Sequence, residues 1–274
     1  MMNKSKHVLV WIAICLSLIL IGSAVVIVML HHTPAQPPAD TVPQTTTTQP
    51  PEENTLTPLD FGYVDGYLTC LTQDSIMGVD VSSYQREIDW QKVKDAGFEF
   101  VILRAGFRGY GASGVLKEDS YAQINYQNAK AAGLKVGAYF FSQAITEEEA
   151  IDEAQYLLEI TKDWELDMPL AFDWECLADD YRTVDVTPRQ LTDFAKAFCE
   201  TVKGAGRRAM VYFNPNQSRK DMYLAELQDY GFWLAMYTEK MTYDYNVNIW
   251  QYTRTGSVPG IAGNVDINLY FPNA

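Results

Sequence analysis

From residue 76 onward, apolar residues fall into two alternating kinds of run. Short continuous runs occupy 77–81, 98–105, 135–141, 169–174, 208–213, 232–237 and 247–252, with a brief one at 265–267. Continuous rather than alternating apolarity is the pattern of parallel strands covered on both faces. Between them, apolar residues recur three and four places apart. Ala150, Ile151, Ala154, Leu157 and Leu158 share one helical face, opened by Thr146 with Glu149 three places on. Thr187, Pro188 and Gln190 open a second helix, with Gly204 near its end. Residues 119–132 predict a third, closed by Gly133, and 90–96 a short one closed by Gly97. No long helix is expected between Tyr237 and Val247. Eight strands with fewer than eight helices predict an α/β protein, an irregular TIM-like β/α barrel with some crossovers shortened.

Before residue 76 the pattern changes. Residues 8–30 form an unbroken run of 23 uncharged, mostly apolar residues, and about 20 suffice to cross a bilayer. Lys4 and Lys6 precede the run and no Lys or Arg follows until Arg86. That asymmetry predicts a cytoplasmic N-terminus (residues 1–7) and an extracellular remainder. A cleaved signal peptide has a shorter apolar core, so a single-pass signal anchor in the cell membrane is expected, with secretion the outcome if the segment is cleaved. Residues 31–58, rich in Pro, Thr and Gln, read as an extracellular linker. The lead-in 59–75 is left between docking on the barrel and extending that linker, and the barrel domain is 76–274.

Charge and residue inventory narrow the chemistry. Past residue 7, 19 basic residues face 35 acidic ones, which argues against nucleic acid or anionic lipid as a partner. The three histidines, His7, His31 and His32, all lie in or beside the apolar segment. The folded part therefore holds no Ser-His-Asp, Cys-His or His-zinc chemistry, and neither metal nor cofactor is expected. Beyond the segment, Cys70, Cys176 and Cys199 are the cysteines; three cannot all pair within one chain, so no disulfide framework is implied.

Carboxylates remain. The run MPLAFDWEC (168–176) ends a strand in Asp173 and Glu175. Residues i and i+2 of a strand share a face, so both acids project the same way, roughly 7 Å apart, and Trp174 points into the strand–helix layer. Asp80 ends the first strand, Arg104 the second, Tyr139 lies late in the third, Tyr212 ends the fifth, Tyr237 the sixth and Gln251 the seventh, and Asp266 falls in the eighth. Barrel chemistry gathers at the C-terminal ends of the strands, so four acids converge on one mouth. Glycoside hydrolysis is the commonest use of such a set. Mutual repulsion keeps one carboxyl protonated near neutral pH. The spacing lies near the boundary between retaining and inverting geometries.

Six collinear segments carry a resemblance: GVDVSSYQ (78–85), IDWQKVKDAGFEFVILRAG (88–106), VGAYFFSQA (136–144), PLAFDWE (169–175), FWLAMY (232–237) and WQYT…VPGIAGNVDINLY (250–270). Together they resemble glycoside hydrolase family 25, lysozymes that cleave the β-1,4 bond between N-acetylmuramic acid and N-acetylglucosamine of peptidoglycan. The resemblance implies a flattened barrel with an acidic groove across its mouth. It implies Glu175 as general acid, and Asp173 as the group that orients the substrate acetamido or stabilises developing positive charge. Asp80 and Asp266 line the groove, ordering water or tuning the other acids. The family often has Tyr-His after the position of Ala138; here Tyr139 is followed by Phe140, which leaves no histidine role. An N-acetyl group on the substrate also offers its own carbonyl oxygen as nucleophile, and this substrate-assisted, retaining route is favoured. The expected partners are peptidoglycan strands and, through the N-terminal helix, the membrane; a monomer is expected.

Other readings are weighed by single features. A non-catalytic glycan-binding module would have lost Asp173 or Glu175, and both are present. A chitinase-type strand would carry further Asp residues where Ala171 and Met168 stand. Aromatics in barrel strands are more often core than platform; of the candidates, Tyr139, Tyr212 and Tyr237 are expected near substrate, with Arg104 and Gln251 beside them. Asp266 is otherwise a structural acid for Arg104. Gly109, Gly111 and Gly114 match a dinucleotide spacing but open no helix, so a groove-side loop is expected.

Overall fold

A computed structural model of the protein describes residues 49–176 and 182–273. The apolar segment 8–30 and most of the linker lie outside the described residues. Among the described residues no helix is long and apolar enough to cross a membrane. The elements run β1 (Phe61–Val64), β2 (Tyr67–Cys70), β3 (Ile76–Val81), α1 (Trp90–Asp95), β4 (Phe100–Arg108), β5 (Leu116–Glu118), α2 (Ala122–Ala131), β6 (Lys135–Ser142), α3 (Glu147–Ile160), β7 (Leu170–Trp174), α4 (Pro188–Gly204), β8 (Ala209–Phe213), α5 (Pro215–Lys220), β9 (Gly231–Ala235), β10 (Ile249–Gly256) and β11 (Val265–Tyr270).

Eight strands close a ring in the order β3-β11-β10-β9-β8-β7-β6-β4, and the β3–β4 pairing completes it. All junctions are parallel except the two that β11 makes with β10 and β3. The eighth strand therefore runs against the others. Its beginning, not its end, lies at the barrel mouth, which is why Asp266 near its start faces Asp80 near the end of β3 in direct register. The ninth strand of this sheet, β5, is a short antiparallel extension of β4.

Alternation along β7 sorts the layers. Ala171 joins Phe100, Ile102, Met210, Trp233 and Ile249 in the barrel interior. Leu170, Phe172 and Trp174 face outward into the core shared with α4, where Phe172 meets Phe198 with ring centroids 5.1 Å apart. Trp174 donates its indole N–H to Ala144 O at 3.0 Å, in the outer layer as alternation predicts. At the narrow base, Gly78 sits where a Cβ would stand 2.4 Å from the Phe100 ring; a side chain there would break the ring closure.

The helices start where their caps predict, with one exception. Thr187 and Gln190 form a complete capping box on α4, with Pro188 at the first turn. Thr146 Oγ1 accepts from Glu149 N at the start of α3. The third predicted helix begins at Ala122 rather than at Asp119, and Tyr121 supplies no side-chain cap. Asp119 is engaged elsewhere: its carboxylate accepts from Ser83 N, Arg104 Nε and Tyr121 N.

Residues before β3 pack on the barrel. Asn54 N donates to Asp244 O and Asn246 N to Glu52 O, both within 2.9 Å, so chain that composition reads as linker runs along the barrel wall. The β1–β2 hairpin then docks by its apolar face. Phe61 meets Trp250 edge-on at 5.1 Å, Tyr67 meets Phe98 at 5.0 Å, and Leu68 is buried. Burying a side chain such as Leu68 contributes about 1.5–3 kcal/mol, which decides the lead-in for docking. All three described cysteines are free, with Cys70 and Cys199 buried and Cys176 exposed.

Candidate active site

The strand ends converge on a cleft of 210 Å³ whose wall includes all nine sequence-predicted residues: Asp80, Arg104, Tyr139, Asp173, Glu175, Tyr212, Tyr237, Gln251 and Asp266. Asp173 sits on the floor, its Oδ1 buried without a hydrogen-bond partner. Glu175 lies one residue beyond the end of β7, half-buried and nearer the opening. Burial raises the Asp173 carboxyl well above the usual range, and the Glu175 charge raises it further. Burial, then the Asp80 charge, raises Glu175 as well. Two neighbouring carboxyls raised together hold a proton at a pH where an isolated acid has lost it.

A second layer of polar groups fixes Asp80. Its Oδ2 accepts from Gln251 Nε2 and Asn268 Nδ2, both at 2.8 Å. Gln251 Oε1 in turn accepts from the hydroxyls of Tyr212 at 3.1 Å and Tyr237 at 3.0 Å. Asn268 Oδ1 accepts from the Trp233 indole at 2.8 Å. These amide donors favour the ionised form, yet burial dominates and leaves the Asp80 carboxyl raised to about 6. Asp266 is raised to about 8, first by burial and then by the charge of Asp80 across the strand pair. Like charges directly opposite in a sheet are destabilising, so the pair favours the form in which Asp266 keeps its proton.

A pH dependence of stability follows. The folded-state carboxyl of Asp266 lies above its unfolded value near 4, so its contribution is complete below about pH 4 and is lost as pH rises through about 8. The melting temperature is expected to fall between pH 5 and pH 9, and Asp266→Asn to flatten that slope in thermal scans across the range.

The three predicted tyrosines divide. Tyr237 presents an exposed ring, with the Arg254 guanidinium 5.2 Å from its centroid. Tyr212 is buried edge-on against Trp233 at 4.9 Å, so its contribution is its hydroxyl rather than a stacking face. Tyr139 is half-buried with its ring 5.9 Å from Trp233. Arg104 does not pair with Asp266. It is held by Asp119 at 2.8 Å and by Ser83 Oγ at 3.0 Å. The glycine-rich residues 109–114 form the turn between β4 and β5, and Tyr110 there meets the cleft residue Phe141 at 6.1 Å.

Four supporting residues were not anticipated. Asn268 was legible, since it lies two places from Asp266 on the same strand face. Asp119 reads in sequence as the first residue of the third helix. Gln143 and Gln217 carry no local signal, yet they hold the segment that bears Glu175. The β6–β7 ladder ends at Ser142–Trp174 and the β7–β8 ladder at Asp173–Tyr212, so the next carbonyls have lost their sheet partners. Gln217 Nε2 donates to Trp174 O at 2.8 Å and Gln143 Nε2 to Glu175 O at 2.7 Å. Replacing Gln143 by Met keeps the volume and removes the donor. An unpaired buried carbonyl costs about 1–3 kcal/mol, and misplacement of Glu175 is expected to lower kcat about tenfold, at about 1.4 kcal/mol of barrier, with KM within about twofold. Steady-state kinetics would show this, and loss of melting temperature alone would mark Gln143 as structural.

Four carboxylates with raised proton affinities thus share one barrel mouth, a candidate acid–base site. The comparison with known families agrees: the model of glycosyl hydrolases family 25 matches residues 79–261, and the chain belongs to that family. It is similar to the autolytic lysozyme of Clostridium acetobutylicum, at 29% identity over 70% of this chain and 55% of that protein. Its fold is shared with the modular autolysin LytC of Streptococcus pneumoniae, solved in complex with a synthetic peptidoglycan ligand. That likeness has a TM-score of 0.66 at 23% identity, over 77% of this chain and 50% of LytC. A bacterial lysozyme from Streptomyces coelicolor has a TM-score of 0.60 at 24% identity, over 73% of this chain and 94% of that one. The chain thus spans about half the length of the Clostridium lysozyme and of LytC.

Proposed function

We propose that the protein is a muramidase that hydrolyses the β-1,4 bond between N-acetylmuramic acid and N-acetylglucosamine in peptidoglycan. The observation that carries this reading is the four-carboxylate cleft at the mouth of a family 25 barrel. In the reactive form Glu175 carries the proton of the Asp173–Glu175 pair and Asp173 is the anion. Glu175 is the member nearer the opening, and a seated glycan strips it of water, raising its proton affinity further. It donates that proton to the glycosidic oxygen as the C1–oxygen bond breaks. The acetamido carbonyl oxygen of the substrate attacks C1, while Asp173 accepts the acetamido N–H and offsets the developing positive charge. Water then adds to C1 as the bond from C1 to the acetamido oxygen breaks and the acetamide re-forms, giving its proton to Glu175, with net retention. Asp80 and Asp266 order that water and hold the neighbouring proton affinities up.

The 23-residue apolar segment, with Lys4 and Lys6 before it, supports a membrane-tethered enzyme with the barrel outside the cell. Catalysis is tested by incubating the purified protein with insoluble peptidoglycan and following soluble fragments and bound protein together. Fragment release, with the β-anomer appearing first by proton NMR, supports a retaining hydrolase. The α-anomer first would replace retention with inversion. Binding without release would make the barrel a glycan-binding module.

A further inference from the structure

The acid cleft does not end at Asp80. Tyr84 and Gln85 line both the cleft and a second, wider hollow of 560 Å³, whose far side is formed by Tyr121 and Gly263. Tyr84 is 76% exposed. Its ring is set from one side by the Arg104 guanidinium, 5.3 Å from the centroid, and Arg104 is itself fixed on buried Asp119. Such a ring is a rigid platform facing solvent.

The floor of the hollow carries charge. Arg86 and Glu87 stand side by side there, both exposed. Arg86 has φ of 56°, in the left-handed region that a residue of its type rarely adopts. The turn that imposes it is fixed by Gln85 N to Ser82 O and Arg86 N to Ser83 O, both at 3.2 Å, and by Ser82 N to Gln85 Oε1 at 3.0 Å. The Arg86 guanidinium makes no hydrogen bond or ion pair among the described residues. A strained backbone that displays an unpaired cation is a feature that folding alone does not favour.

We propose that this hollow is a subsite for the peptide stem of the glycan, with Arg86 pairing a stem carboxylate, Glu87 an ammonium group, and Tyr84 supplying the apolar face between cleft and hollow. The proposal rests on the muramidase reading. The chemistry matches at three points. The lactyl ether of muramic acid projects its peptide sideways from the sugar chain, so a glycan seated over the acids sends the peptide off the cleft rather than along it. Stem peptides carry both carboxylates and the amine of a diamino acid, complementary to an Arg–Glu pair. In a domain of strong negative charge, an unpaired guanidinium in the hollow offers a carboxylate a partner.

The test compares the full-length protein with Arg86→Gly and Tyr84→Ala on intact peptidoglycan and on the same glycan stripped of peptide by an amidase. Glycine adopts a positive φ freely, so Arg86→Gly is expected to fold with an unchanged or higher melting temperature. KM on peptide-bearing glycan is expected to rise about tenfold in either variant; for Arg86→Gly, which lines the hollow and not the cleft, KM on stripped glycan is expected to stay within about twofold of wild type. Equal losses on both substrates in Arg86→Gly, or no loss on either, would overturn the proposal. Should the wild-type protein cleave neither glycan, the muramidase reading fails. The hollow is then tested by calorimetric titration with synthetic L-alanyl-D-isoglutamyl-L-lysyl-D-alanine: binding that Arg86→Gly weakens about tenfold supports the subsite, and absence of binding to wild type removes it.

Discussion

Glu175→Gln is expected to lower kcat on peptidoglycan by about 10²- to 10⁴-fold, the usual worth of a positioned general acid, while KM changes little. The amide keeps the volume of the side chain, and the contact that positions the segment, Gln143 Nε2 on Glu175 O, is to the backbone and survives the change. What disappears is the transferable proton. The wild-type carboxyl is raised by burial and then by Asp80, so its protonated form persists to higher pH than in an isolated acid, and activity falls as pH climbs through the raised value. In the variant, residual activity should lose that alkaline limb. A pH–kcat profile of both proteins checks the two expectations together; a variant with normal kcat would move the acid role to another carboxyl of the cleft.

The largest effect on stability is expected away from the cleft, at Arg108→Met. Arg108 is buried between β4 and α3 and donates Nε to Glu153 at 2.6 Å, with further bonds to Gly114 O at 2.8 Å and Glu149 O at 2.9 Å. Glu153 is fully buried, and its carboxyl is raised to about 7, mainly by burial. Removing one partner of a buried ion pair costs about 3–5 kcal/mol, because the other charge is left without compensation. The sign of the pH effect follows from the raised value. The Glu153 contribution is complete below its unfolded value near 4.5 and is lost as pH rises through about 7. Without Arg108 the loss steepens, so the destabilisation should be large at pH 8 and clearly smaller at pH 6, where Glu153 can take a proton. Denaturant titrations at the two values measure it. Arg108→Met combined with Glu153→Leu should recover much of the loss, since an apolar pair of similar volume often replaces a buried ion pair without penalty. Glu153 also accepts from Gln143 N at 3.3 Å, so the single variant should disturb Glu175 as well.

The barrel was legible because its strands are continuous apolar runs, and a strand buried on both faces leaves that signature without help from distant sequence. The antiparallel course of β11 was not, since direction is set by pairing with β10 and β3 rather than by the residues of 265–270. The lead-in 59–75 was undecidable for the same reason: its strands are four residues each, and its docking depends on Phe61 meeting Trp250, a contact far apart in sequence. Asp80, Asp173 and Glu175 were legible from strand-end position, whereas Asp266, second in β11, reaches the mouth because that strand runs antiparallel. Their supports were legible only where they shared a strand face with an acid, as Asn268 does with Asp266. Arg104 shows the limit. Sequence places it at the end of a strand, although β4 runs on to Arg108; its partner is Asp119, which sequence assigns to the start of a helix, and only the closed ring brings Ser83, Arg104 and Asp119 together.

The central claim is that this cleft hydrolyses the muramyl bond. The most direct test is the identity of the new reducing end. Peptidoglycan digested by the full-length protein is reduced with borohydride, and the fragments are read by mass spectrometry. The account predicts muramitol at the new termini of wild-type digests and none above background with Glu175→Gln. Glucosaminitol in its place, or equal muramitol from both proteins, would contradict it.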